Sequence, residues 1–275
     1  MYKHTVITMT DSNYFPNGEL LIKTRKRVDA RFICYGCELT DRQLSTLRKN
    51  DIQHRPIDRE LFIKNMNTLK FNMMLSEVPF SNCITFVDFD TWFIKDWWKD
   101  VFKNTKFQLG ITVRNRAVQK RDMKCAANGG VIFCRGTIQS KLMLQLALKT
   151  IDEGSNKKVP WYDIIWKTLE DPNRPPEKRK MRTDKSWWTD QVFLSALVWK
   201  YLNIVREPVD VKPFYFMDYE LCMFDCNRFN NVDSNIDNLG KIVKKYKPYI
   251  MHLKNQNRDE LNEYNNLARI VLHSV

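Results

Sequence analysis

The run Ile84-Thr85-Phe86-Val87, followed at once by Asp88-Phe89-Asp90, constrains this chain more than any other stretch. Its first four residues read as a buried strand, and that strand delivers two carboxylates at its end. Bare carboxylates in such a place repel each other, and desolvation adds to the cost. A divalent cation removes it. Oxygen ligands suit Mg²⁺ or Mn²⁺, which are commonly held by one or two carboxylates together with substrate phosphates. The carboxyl ends of strands are also where open α/β sheets bind ligands. The bland alternative is a solvated turn.

Around that strand the chain alternates. Residues 4–10 and 30–36 read as strands, and Asp11-Ser12-Asn13 as a polar turn. Helical stretches follow Pro16-Asn17-Gly18 to about residue 25, run from about Leu39-Thr40-Asp41 to residue 49, and cover 62–77. Strands alternating with helices predict an α/β fold, a parallel sheet with helices on its faces. Further on, 107–113 is a strand, and 128–134 is a strand beginning at an Asn-Gly-Gly turn. A helix is expected over 137–153, a polar, basic excursion over 160–187, and a helix from Thr189-Asp190-Gln191 to about residue 201. Residues 214–217 and 248–252 are strand-like, and 257–272 is helical. No repeat and no linker interrupts the chain, so it reads as one domain over 1–275.

At 43% hydrophobic and 12% aromatic residues, the 275-residue chain is not a disordered one. No apolar run is long enough to span a bilayer, and the N-terminus enters a strand pattern without a signal peptide. Seven cysteines at irregular spacing make no disulfide framework. The lone pair Cys34-x-x-Cys37 reads as buried reduced thiols rather than zinc ligands, and the expected compartment is the cytoplasm. The net charge of +13 favours anionic partners: nucleic acid, membrane surfaces or phosphorylated substrates.

Several short motifs fall in one order: Thr10, Asp11 and Tyr14 after the first strand, Lys70 on the helix before the acidic pair, then Asp88 and Asp90. Asn128-Gly129-Gly130, Asp190-Gln191, His252 and Lys254 follow. In this order the chain resembles the GT-A-type glycosyltransferases, most nearly the glycogenin-like branch of glycosyltransferase family 8, over roughly residues 4–255. The resemblance implies a mixed, mostly parallel sheet flanked by helices. A Rossmann-like nucleotide-sugar half would occupy about 1–105 and an acceptor half about 106–255. It also implies metal-dependent transfer of a sugar from a nucleotide-diphosphate sugar, with a UDP-sugar favoured, to a glycan or lipid-linked glycan. Mn²⁺ or Mg²⁺ would be held by Asp88, Asp90 and His252. The chemistry is sound independently of the family, because a metal bridging the departing diphosphate offsets its growing negative charge.

The resemblance places the Tyr14 ring against the nucleotide base, where a flat surface stacks well; packing under a loop competes. Thr10 and Asp11 would bond base or ribose, or else cap the loop. Lys70 would meet phosphate or sugar oxygens, or else lie solvated on its helix. Asn128 would read sugar hydroxyls beside Gly129 and Gly130, whose missing side chains allow close approach; a hairpin turn is the alternative. Asp190 and Gln191 would face the donor sugar near its reacting carbon, and Asp190 also suits a helix N-cap. Lys254 would reach the diphosphate, although the family's glycine and Lys-Pro-Trp after the histidine are missing. Residues 174–185 carry six basic side chains against Glu177 and Asp184, with Trp187 and Trp188 directly after. With Lys241, Lys244, Lys245 and Lys247 they form either a solvated face or a surface for a polyanionic acceptor, whether DNA with modified bases or a membrane. Two rivals are open. One is a phosphatase of the haloacid-dehalogenase type, with Asp88 as nucleophile and Asp90 as acid/base. The other is a nucleic-acid-binding module without catalysis.

Overall fold

The computed structural model describes residues 1–103, 105–115, 126–155, 189–202, 210–216, 218–232, 239–252 and 266. Its strands are β1 (Thr5–Asp11), β2 (Arg31–Cys37), β3 (Ile52–Pro56), β4 (Cys83–Val87), β5 (Thr91–Phe93), β6 (Leu109–Val113), β7 (Ala127–Arg135), β8 (Val211–Phe216), β9 (Tyr219–Asp225), β10 (Asn231–Val232) and β11 (Ile250–His252). The main sheet has the order β3-β2-β1-β4-β7-β6-β9-β8. β1 lies parallel to β2 and β4, and β2 parallel to β3. β7 runs antiparallel between β4 and β6, β9 parallel to β6, and β8 closes the edge antiparallel to β9. The sheet is therefore mixed, with parallel pairs in the majority, and helices cover it.

The helices are α1 (Glu19–Thr24), α2 (Asp41–Lys49), α3 (Arg59–Glu77), α4 (Ile138–Ser155), α5 (Thr189–Leu202), the single turn α6 (Cys226–Phe229) and α7 (Leu239–Tyr246). Local chemistry explains their starts. Thr40 and Gln43 bond each other's backbone N–H in a capping box at α2. Asp58 accepts from the Leu61 N–H at 3.0 Å, which starts α3 at Arg59, earlier than its apolar pattern suggests.

All five residues of β4 are buried, and its alternation divides the core. Ile84 and Phe86 pack with Phe71 and Met74 of α3, Leu144 of α4 and Phe193 of α5. Cys83 and Val87 join Phe93, Trp97, Phe102, Phe133 and Phe224 on the opposite side. A strand covered on both faces reads as a continuous apolar run. Each such buried ring contributes about 3–5 kcal/mol against truncation to alanine. Cys34, Cys37, Cys83, Cys134, Cys222 and Cys226 are buried free thiols; burial pushes those of Cys34 and Cys134 up to about 12.

Four strands, β3, β5, β9 and the two-residue β10, differ from the sequence expectation. β3 is an edge strand with a mixed, half-exposed sequence, so its apolar signal is weak. β9 is central, and β5 continues too closely from the acidic pair to be told apart from it. β8 begins before its expected start and contains Pro213, which an edge strand tolerates.

The expected Asn-Gly-Gly turn is corrected. Residues 128–130 lie inside β7 and are buried. Ile111 opposes Ile132 while the next residue, Thr112, opposes Asn128. The ladder toward β6 therefore skips Gly129, Gly130 and Val131. A bulge of this kind re-aims the chain beside a site. On its other edge β7 stays in register with β4, and Asp88 N donates to Gly130 O at 2.8 Å.

A small second sheet has the order β10-β11-β5. In it His252 lies opposite Thr91 of β5 and Val232 of β10. The expected helix over 257–272 lies outside the described residues.

Candidate active site

Asp88 and Asp90 flank a turn that Phe89 anchors from behind. The Phe89 ring is buried, 5.3 Å from that of Phe15. Thr91 closes the turn, its N–H and hydroxyl both donating to Asp88 O at 3.2 and 2.9 Å. The small sheet carries His252 to the same place. Its Nε2 lies 3.1 Å from Asp90 Oδ1 and 3.7 Å from Asp88 Oδ2. One ligand atom from each of the three residues lies within 4.8 Å of the others, the only such group among the described residues.

Burial pushes the Asp88 carboxyl above the usual carboxylate range, and the nearby Lys70 and His252 only partly oppose it. Burial acts on Asp90 too, but His252 and the Tyr14 hydroxyl outweigh it and hold Asp90 below that range. Asp90 Oδ1 is buried, with His252 Nε2 beside it at 3.1 Å. Two carboxylates and an imidazole gathered in this way fit a divalent cation.

A second group lies beside the first. Lys70 is buried, not solvated, and its Nζ donates to Asp190 Oδ2 at 2.6 Å and to Gly129 O at 3.1 Å. Burial pushes its ammonium toward the neutral form, but Asp190 and Asp88 outweigh this and raise its pKa. α5 begins at Thr189, so Asp190 stands in the first turn rather than at the cap. That position still favours a negative charge. Asp190 Oδ1 and Asn128 Nδ2 are buried without partners among the described residues.

A Cβ on Gly129 would lie 2.1 Å from Asp190 Oδ2, and one on Gly130 would lie 2.7 Å from His252 Cε1 and 2.8 Å from Asp88 Oδ2. Their missing side chains make room for the protein's own acids, imidazole and lysine.

The first loop reaches the same site. Tyr14 is 43% exposed, and its hydroxyl donates to Asp90 Oδ2 at 2.5 Å. Asp11 caps the loop, Oδ1 accepting from Tyr14 N at 2.6 Å. The buried Thr10 hydroxyl donates to Asp11 O at 3.1 Å, a local role. Gln191 Oε1 lies 3.5 Å from Arg114 Nη1.

Lys254, Trp187, Trp188 and residues 160–187, including the basic run 174–185, lie outside the described residues. Lys241, Lys244 and Lys245 line the exposed face of α7, whose Leu239, Ile242 and Val243 are buried.

Sequence reasoning did not single out Arg114, Thr112 or Asn230. Asn230 is fully buried, and its Oδ1 lies 3.0 Å from His252 Nδ1. An isolated asparagine gives no signal of its own, because only the pairing of β10 with β11 brings it to the histidine.

Neither the family models nor the curated proteins include a match to this sequence. Solved structures do resemble it. One is an active-site mutant of LgtC, at a TM-score of 0.53 and 11% identity over 97% of this chain and 95% of that one. Another is the galactosyltransferase LgtC in complex with donor and acceptor sugar analogs, at 0.52 and 13% identity over the same shares. The chain has the GT-A glycosyltransferase fold. At these identities the likeness is one of fold. The GT-A sheet is the one described above, with Asp88 and Asp90 at the carboxyl end of β4. Among the described residues no helix is long and apolar enough to cross a membrane.

Proposed function

We propose that the chain is a Mn²⁺-dependent glycosyltransferase. It moves a sugar from a nucleotide-diphosphate sugar, a UDP-sugar by preference, to a glycan or lipid-linked glycan. The observation that carries this reading is the convergence of Asp88, Asp90 and His252 within 4.8 Å, at the carboxyl end of a GT-A strand. The donor and acceptor sugar analogs bound to the structurally similar LgtC support a sugar donor and a sugar acceptor. The nucleotide-sugar half would occupy about 1–105 and the acceptor half about 106–255. Buried reduced cysteines suit a cytoplasmic enzyme.

Asp88, Asp90 and His252 would hold the cation, which when bound offsets diphosphate charge as a Lewis acid. Lys70 fixes the direction of the Asp190 carboxyl. Asp190 Oδ1 offers an acceptor and Asn128 Nδ2 a donor, a pair that reads sugar hydroxyls. The exposed face of Tyr14 offers a base about 1–3 kcal/mol of stacking. Gln191, held by Arg114, borders the sugar side.

The test is a screen of nucleotide sugars for hydrolysis with Mn²⁺. One UDP-sugar should be hydrolysed, and Asp90→Asn should lower the rate about a thousandfold, several kcal/mol of lost charge stabilisation. Turnover of a phosphomonoester with no nucleotide sugar hydrolysed would instead favour the phosphatase.

A further inference from the structure

We propose that Asn230 is the positioning residue of the metal site: its side-chain oxygen fixes the tautomer and rotation of His252 that turn Nε2 toward Asp88 and Asp90. The inference rests on the metal reading above and adds to it a residue outside the ligand set.

The direction of the Asn230 amide follows from its neighbours. The Thr112 hydroxyl lies 2.9 Å from Asn128 O and 3.1 Å from Val131 O, both pure acceptors. Its single hydrogen is committed to them, so its oxygen can only accept from a third partner. That partner is Asn230 Nδ2, at 3.3 Å. The amide nitrogen therefore faces Thr112 and the amide oxygen faces His252 Nδ1, at 3.0 Å. An amide oxygen cannot donate, so Nδ1 carries the hydrogen. In a neutral imidazole the lone pair then belongs to Nε2, the nitrogen that faces both carboxylates at 3.1 and 3.7 Å. A lone pair aimed at two acids is repulsive alone and favourable once a cation lies among them.

The backbone supports the same arrangement. Asn230 directly precedes β10, whose Asn231 and Val232 pair with Met251 and His252. Its own N–H is bound to Cys226 O at 3.0 Å. The carbonyls that orient Thr112 belong to the β7 bulge, so the bulge that carries the sugar-facing Asn128 also sets the imidazole.

The experiment measures Mn²⁺ affinity directly, from the electron paramagnetic resonance of free Mn²⁺, with and without UDP. It compares the whole chain with its Asn230→Leu and Asn230→Asp variants, each checked by thermal melting. Both variants lose the bond to Thr112, but only Asn230→Asp keeps an acceptor for Nδ1–H. Asn230→Leu should weaken Mn²⁺ binding about 10–100-fold, while Asn230→Asp stays within about threefold of the parent. Unchanged affinity in Asn230→Leu would overturn the proposal, and so would equal losses in both variants, the mark of a merely structural role. A parent chain that takes up no Mn²⁺ in either condition would overturn the metal reading itself, and this inference with it.

Discussion

Asp190 and Asp90 are both buried on the same rim, and the fold treats them in opposite ways. Asp190 has a cation of the protein's own, Lys70 at 2.6 Å. Asp90 faces an imidazole, a tyrosine hydroxyl and a second carboxylate, with no lysine or arginine paired to it among the described residues. A buried charge must be compensated somewhere. At Asp190 the chain does this itself, with Lys70. At Asp90 the proposed cation would complete the compensation.

The largest effect should come from breaking the internal pair. Lys70→Met strands Asp190 as a buried, unpaired charge and should destabilise the fold by about 3–5 kcal/mol. Asp90→Asn removes a charge that His252 and the Tyr14 hydroxyl stabilise, so without Mn²⁺ it should lower the melting temperature, but by clearly less than Lys70→Met. Equal destabilisation by the two variants would erase the contrast.

A pH titration of stability sharpens it further, once a third buried group is separated out. His4 is enclosed by Trp97 and Phe102 and bonded to Thr85 Oγ1. Burial, aided by Lys3, pushes its pKa down to about 3 from 6.5. Between those values the unfolded chain binds a proton that the folded chain refuses, so stability falls as pH drops below 6.5. The slope reaches about 1.4 kcal/mol per pH unit. Asp90, held below its ordinary value, contributes stability that is present above the unfolded carboxylate range and lost only under more acid conditions. Denaturant titrations of the parent and His4→Asn between pH 7 and 4.5 should differ by this slope. Parallel curves would mean that His4 is not held neutral.

The smallest effect concerns Tyr14. Tyr14→Phe removes the donor to Asp90 Oδ2 while keeping the ring. Mn²⁺ affinity should fall about tenfold, with nucleotide affinity in the absence of metal unchanged. A loss of nucleotide binding alone would mean that the hydroxyl serves the base and not the acid.

The parts of this molecule legible in the sequence are those governed by near neighbours. The helix opening at Leu39-Thr40-Asp41, the apolar residues of α3 and the buried run of β4 each depend on residues within a few positions of one another. The Asp88–Asp90 pair was visible for the same reason. The Asn-Gly-Gly motif misled, because the same dipeptide preferences serve a hairpin turn and a bulge. What decides between them is whether β4 and β6 lie on either side. Lys70 shows a similar limit: on its helix it could equally reach an anion or lie solvated, and only Asp190, far along the chain, shows it buried and paired.

The chain's own order of residues thus determined which strand would be buried, where it would end, and that two acids would stand there. Local propensity and burial of apolar surface suffice for that. Tertiary structure alone decided that His252, carried by the pairing of β11 with β5, would meet those acids, that Asn230 would orient it, and that glycines in a bulge would leave the space. Such contacts depend on strand register between distant segments, and register is set by the packing of the whole sheet rather than by any stretch of it.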